Sequence, residues 1–264
     1  MSIDKVVLDS MLKGLSLFGV REEYETVAER CGKQSHIEYL YELITAETNI
    51  RQQKQILHLL KLAKLPRNKL LIDFDLTRIP GLHSGLVKSL SDGGFIDRCE
   101  NLLLFGNPGT GKTHLAIALA REWCQQGRRC LYITAASLVQ QLATAKRNGR
   151  WNNVLKFFDR KEALIIDDIS YVPYDKAETD LLFLLLAERY EQRSTVITSN
   201  LAFSGWNKIF KDDMTTAAAV DRLVHHSIVL ELNTESYRIS AAKKHAMHLN
   251  EQNQHLTEEI PANV

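Results

Sequence analysis

Short, continuously apolar runs alternate with amphipathic stretches through the second half of the chain. Residues 102–105, 130–134, 163–167, 195–199 and 228–232 read as strands. Between them, 113–125, 136–146, 176–192 and 216–225 place hydrophobic residues three and four apart, as helices with one buried face do. Five such strands separated by helices predict a parallel sheet covered on both faces. The first seventy residues are patterned differently, as helices only. Leu8, Met11, Leu12, Leu15 and Leu17 predict a first helix that Gly19 ends, and a second spans 21–30 with Gly32 as its stop. Ser35-His36-Ile37-Glu38 is a capping box opening a long helix to about Leu65, before Pro66. Residues 66–100 contain Pro66, Pro80, Gly81, Gly85 and the Gly93-Gly94 pair, and read as a connection with short elements. The polar stretch from Asn250 has no core face and is expected to be disordered. The expected domains are therefore a helical unit over 1–70, an α/β unit over 71–249 and a tail over 250–264.

Composition changes this picture little. A chain of 264 residues, 45% hydrophobic and 25% charged, fits a soluble α/β domain with a smaller appendage. Its longest apolar run, 181–187, is too short for a bilayer, and its start lacks the pattern of a signal peptide. Cys31, Cys99, Cys124 and Cys130 show no metal-binding spacing and read as free thiols in a cytoplasmic protein. With a net charge of only +1, attraction to nucleic acid has to come from local clusters.

The candidate chemistry starts at the first strand. After 102–105 the chain continues Gly106-Asn107-Pro108-Gly109-Thr110-Gly111-Lys112-Thr113, which matches G-x-x-x-x-G-K-[ST] in full. Glycines let successive backbone N–H groups curl round an anion, and the following helix aims its N-terminal dipole at the phosphates. Lys112 is expected at the β/γ-phosphates and the Thr113 hydroxyl on Mg²⁺. His114, the next residue, completes the expected ATP contacts.

Ligands of such sheets sit at the carboxyl ends of the strands. The strand Leu164-Ile165-Ile166 ends in Asp167-Asp168, as a Walker-B strand does. Asp167 is expected to meet Mg²⁺ or its water shell, and Asp168 to polarise the attacking water as general base. The next strand ends in Thr198-Ser199-Asn200, whose neutral amide suits orientation of that water beside the γ-phosphate. This order of strands marks an ATPase with an added central strand and argues against a small-molecule kinase.

Two basic clusters stand apart from this site. Arg51, Lys54, His58 and Lys61 share one helical stripe, Lys64 follows, and no acid occurs between Glu47 and Asp73. Lys146, Arg147, Arg150, Lys156, Arg160 and Lys161 surround Trp151, opposed only by Asp159. Each reads either as a solvated face or as phosphate contacts; the missing carboxylates favour DNA, with Trp151 left as core.

The segments GNPGTGKTHLAIAL, LIIDDIS, TSNLAFSGW, AAVDRLVHHSIVLEL and ESYR, with AKLPRNKLLIDFD before them, resemble the IstB-like AAA+ ATPases. These are helper proteins of insertion-sequence transposition, related to the DnaC helicase loader. The resemblance covers roughly residues 40 to 245. It implies a P-loop NTPase of AAA+ type that forms homo-oligomers on duplex DNA, with ATP at subunit interfaces and a transposase as partner. It also implies that Arg222 is an arginine finger reaching a neighbour's ATP and Arg238 a sensor-2 contact. The Asp-Asp pair departs from the usual Asp-Glu of AAA+ proteins, which puts the hydrolysis rate in question. An alternative is a helicase loader that uses ATP as a switch and grips a helicase with its N-terminal helices.

Overall fold

The computed structural model describes residues 4–30, 35–170, 175–210 and 213–237. The chain divides into two units, Met1–Lys61 and Leu62–Val264.

The first unit is helical: α1 (Lys5–Gly14), α2 (Phe18–Arg30) and most of α3 (His36–Leu62). Its small core comprises Leu12, Val20, Val27 and Leu43, with Leu8, Leu17, Tyr24 and Tyr39 packed around them. Gly19 does not end the first helix as its residue type suggests. It lies in the first turn of α2, where a Cβ would stand 2.7 Å from the Glu47 Cα of α3. That close approach lets buried Glu47 accept from the Gly19 N–H at 2.6 Å and the Val20 N–H at 3.3 Å, so a carboxylate caps the N-terminus of α2. Gly32, the expected stop of the second helix, lies outside the described residues.

The second unit starts at Leu62, not at residue 71, because the next few residues are tied to its sheet and first crossover helix. The Ala63 carbonyl accepts from Tyr132 N–H, and Arg121 donates to the Pro66 and Arg67 carbonyls. Helices α4 (Ser84–Ser91) and α5 (Gly94–Asp97) lead into β1 (Asn101–Phe105). There follow α6 (Lys112–Gln125), β2 (Cys130–Thr134), α7 (Ala135–Arg147), α8 (Trp151–Asp159) and β3 (Ala163–Asp167). The chain then forms α9 (Lys176–Arg189), β4 (Ser194–Ser199), α10 (Asn207–Phe210), α11 (Asp213–His225) and β5 (Ser227–Glu231).

The five strands are parallel in the order β2-β3-β4-β1-β5. Each of the expected strands is present within a residue or two of its expected ends. β4 is inserted between the P-loop strand β1 and the acid-bearing strand β3. Helix α6 covers one face; α7, α9 and α11 cover the other, with Leu103, Phe105, Ile166 and Ile197 in the core between. The side chain of Asn101 locks the start of β1, accepting from Thr195 N–H at 2.9 Å and donating to the Leu223 carbonyl at 3.2 Å. Nearby, the buried guanidinium of Arg189 donates to the carbonyls of Phe158, Lys161 and Ser194, stapling the end of α8 to the start of β4. Burial pulls its pKa down to about 9, which still leaves it charged near neutrality. The sheet is thus set on a rigid frame. Cys99, Cys124 and Cys130 are free thiols, and Cys31 lies outside the described residues. Among the described residues no helix is long and apolar enough to cross a membrane.

Candidate functional site

A cleft of about 600 Å³ opens at the C-terminal end of the sheet, where β1 turns into α6. Gly106, Gly109 and Gly111 take φ of +145°, +82° and +101°, conformations that L side chains rarely adopt. Their surroundings also exclude a side chain: a Cβ would meet the Leu232 carbonyl at Gly106, Ser236 at Gly109 and the Phe74 ring at Gly111. The loop between them wraps the buried Lys112 ammonium, which donates to the Gly106 carbonyl at 2.6 Å and the Asn107 carbonyl at 2.8 Å. Pro108 to His114 line the cleft.

Asp167, at the end of β3, is buried and accepts three hydroxyl donors. Thr113 Oγ1 reaches Oδ1 at 2.8 Å, Thr198 Oγ1 reaches Oδ1 at 2.6 Å, and Tyr132 OH reaches Oδ2 at 2.7 Å. Asp168 follows in the left-handed region (φ +57°), its N–H donating to Thr198 Oγ1 at 2.9 Å, and it lines the cleft. Asn200 lines the cleft too, its N–H held by Ser170 Oγ at 3.0 Å. The structure therefore brings Lys112, Thr113, Asp167, Asp168 and Asn200 together from segments far apart in the chain. Thr113 and Asp167 offer hard oxygen donors in contact with each other, a set that fits Mg²⁺.

The opposite wall is formed by Asn68, Lys69, Asp73, Phe74, Asp75, Arg78 and Ile79. This is the stretch before Pro80. Phe74 packs edge-on against His114, and His114 Nε2 is 2.8 Å from the Leu70 carbonyl. Tyr237, with its ring under Arg78 and its N–H on the Gly109 carbonyl, closes the end. No sequence motif gives a role to Tyr132, Thr198, Arg78 or Tyr237. Thr198 and Tyr237 carry a signal only as neighbours of named residues, Thr198 two residues before Asn200 and Tyr237 beside Arg238.

Other expected residues fall elsewhere. Arg222 does not line the cleft of its own chain; its guanidinium stacks on Phe183 at 5.0 Å, with one nitrogen buried and unbonded among the described residues. Arg238 and the tail from Asn250 lie outside the described residues. Arg51 is not a free cation: its Nε donates to Glu47 at 2.6 Å and its Nη2 to the Ser16 carbonyl at 3.2 Å. The acid-free window that contains it begins one residue after its partner. Lys54 stands over the Phe18 ring at 4.3 Å. Lys61 is exposed. Lys146 and Arg147 end α7 and Arg150 caps α8, with the Lys146 ammonium 5.5 Å from the half-buried Trp151 ring. Burial first, and then the charges of Arg129, Arg160 and Lys64, lower the Lys161 pKa. The N-terminal unit also has an unexpected face: Ile37, Leu40, Tyr41 and Ile44, at helical spacing on α3, are all exposed.

A parallel sheet with a strand inserted between the P-loop and acidic strands, and this cleft at its edge, defines a P-loop NTPase of the AAA+ type. The profile of the IstB-like ATP binding protein family matches residues 8–246, and the chain belongs to that family. It is 39% identical over 220 residues to the ATP-binding protein named for insertion sequence IS5376 of Geobacillus stearothermophilus, covering 83% of this chain and 88% of that one. To the one named for IS21 of Pseudomonas aeruginosa it is 36% identical over 239 residues, 90% of each chain. In fold it resembles the DnaC helicase loader, with a TM-score of 0.55 at 19% identity over 64% of this chain and 97% of the loader.

Proposed function

We propose that this protein is an ATP-dependent, DNA-binding regulator of transposition. It oligomerises on duplex DNA, hydrolyses ATP and recruits or activates a transposase at target DNA. The observation that carries the ATPase reading is the convergence of the P-loop, Asp168 and Asn200 on one cleft, with Asp167 directly behind them on Thr113. The P-loop amides and Lys112 hold the triphosphate, and Thr113 and Asp167 hold the magnesium. When bound, magnesium supplies charge neutralisation at the β- and γ-phosphates. Asp168 takes the proton of the attacking water, which Asn200 orients without adding negative charge. Arg222, outside its own cleft, leaves Phe183 to reach the ATP of a neighbouring subunit, and Arg238 contacts the bound nucleotide.

The DNA reading is supported by the basic side chains of the second unit. The charges of Arg129, Arg160 and Lys64 act on Lys161, and Lys146, Arg147 and Arg150 stand at the end of α7 and the start of α8 in the same unit. Lys54 and Lys61 add charge on α3, whereas Arg51 is removed from the set by Glu47. Such a surface holds phosphates without reading sequence. The test is co-sedimentation with duplex DNA in ATP, in ADP and without nucleotide. Wild-type protein is expected to assemble on DNA in ATP, and reversal of charge at Lys146, Arg147 and Arg150 to weaken binding at least tenfold. Equal binding by that triple variant contradicts the assignment.

A second reading draws on the exposed Ile37–Leu40–Tyr41–Ile44 stripe, which suits a protein partner better than DNA. In a loader, that stripe grips a helicase and ATP acts as the switch. Retention of helicase, rather than of transposase, on immobilised protein favours this alternative.

A further inference from the structure

We propose that Tyr132 and Thr198 are the positioning residues of this nucleotide site. Together they fix the Asp167 carboxylate for magnesium, and Thr198 also holds the turn that carries Asp168. The inference rests on the magnesium–ATP reading above and goes beyond it in assigning two residues that no P-loop or acidic motif contains.

An ionised carboxylate has about four lone-pair positions and turns freely unless they are engaged. At Asp167 the hydroxyls of Thr113 and Thr198 engage one oxygen and the Tyr132 phenol engages the other, from three different elements. Tyr132 is suited to this by register: it pairs with Ile165 on β3, so Asp167 lies two residues further along the same face of the adjacent strand. A shorter side chain at 132 cannot span that offset.

Thr198 uses its hydroxyl twice, donating to Asp167 Oδ1 and accepting from the Asp168 N–H. Its carbonyl also takes the Ile169 N–H at 3.1 Å. A non-glycine residue at φ +57° is strained and persists only where its surroundings impose it. Here the Thr198 hydroxyl and carbonyl bracket the strained residue from both sides. One residue on β4 therefore ties the acid that serves the metal to the acid that serves the water.

The experiment compares wild type with Tyr132→Phe, Thr198→Val and Thr198→Ser, each checked for an unchanged melting curve without nucleotide. The first readout is the affinity for a fluorescent ATP analogue in EDTA and across a magnesium titration. The second is the magnesium dependence of ATP turnover. Loss of such outer hydrogen bonds weakens metal binding about 10- to 100-fold. Tyr132→Phe and Thr198→Val are therefore expected to need at least tenfold more magnesium for half-maximal tightening. Thr198→Val is also expected to lower turnover at saturating magnesium, and Thr198→Ser to restore both. Wild-type magnesium dependence in the Tyr132→Phe or the Thr198→Val variant overturns the assignment of the residue it replaces. Nucleotide binding by wild type that ignores magnesium is a different failure: it removes the metal reading itself, and this inference with it.

Discussion

Gly106 leaves β1 at φ +145°, and a methyl group on it would be driven into the Leu232 carbonyl where β5 ends. Its carbonyl accepts from the Lys112 ammonium at 2.6 Å. Gly106→Ala is therefore expected to cost about 1–3 kcal/mol in backbone strain, with a further penalty for displacing Leu232. Thermal melting is expected to show the loss, and nucleotide affinity to fall at least tenfold. A variant that melts and binds like wild type would mean that the loop is free to rearrange, which the packing of Leu232, Ser236 and Phe74 against its three glycines opposes.

On the scale of elements, a buried acid on α3 caps the start of α2. Burial works against the charge of Glu47, yet the Arg51 guanidinium and the N–H groups of Gly19 and Val20 hold its pKa below the ordinary value of 4.5. A depressed folded-state pKa gives stability that is present above the unfolded value and lost as pH falls through the folded one. Glu47→Gln is thus expected to melt lower than wild type at about pH 7, with the difference closing below about pH 4. A gap that persists unchanged in acid would contradict this. The same pair explains what the sequence left hidden. Strands were legible because each is a continuous apolar run, and the P-loop and Asp167-Asp168 because their spacing is local. Gly19 has the look of a helix stop because its contact with Glu47 lies 28 residues away. Tyr132 is hidden for the same reason: its partner is 35 residues away, and only the pairing of β2 with β3 brings them together.

At the scale of the whole molecule, an AAA+ nucleotide cleft lies at one end of a sheet whose other end and flank carry clustered basic side chains. Residues 160–162 precede β3 and so lie at the end of the sheet opposite the cleft. The cleft and this basic end are thus separate surfaces of one unit, as the proposed switch between nucleotide and DNA needs. The measurement that tests this most directly is ATP turnover with and without duplex DNA, beside Lys112→Ala as control. DNA is expected to raise wild-type turnover several-fold, and the control to lose about 100-fold or more, since a preorganised charge at the phosphates is removed. Turnover indifferent to DNA would contradict the account, and the basic surface would then be solvated charge with no part in the ATPase.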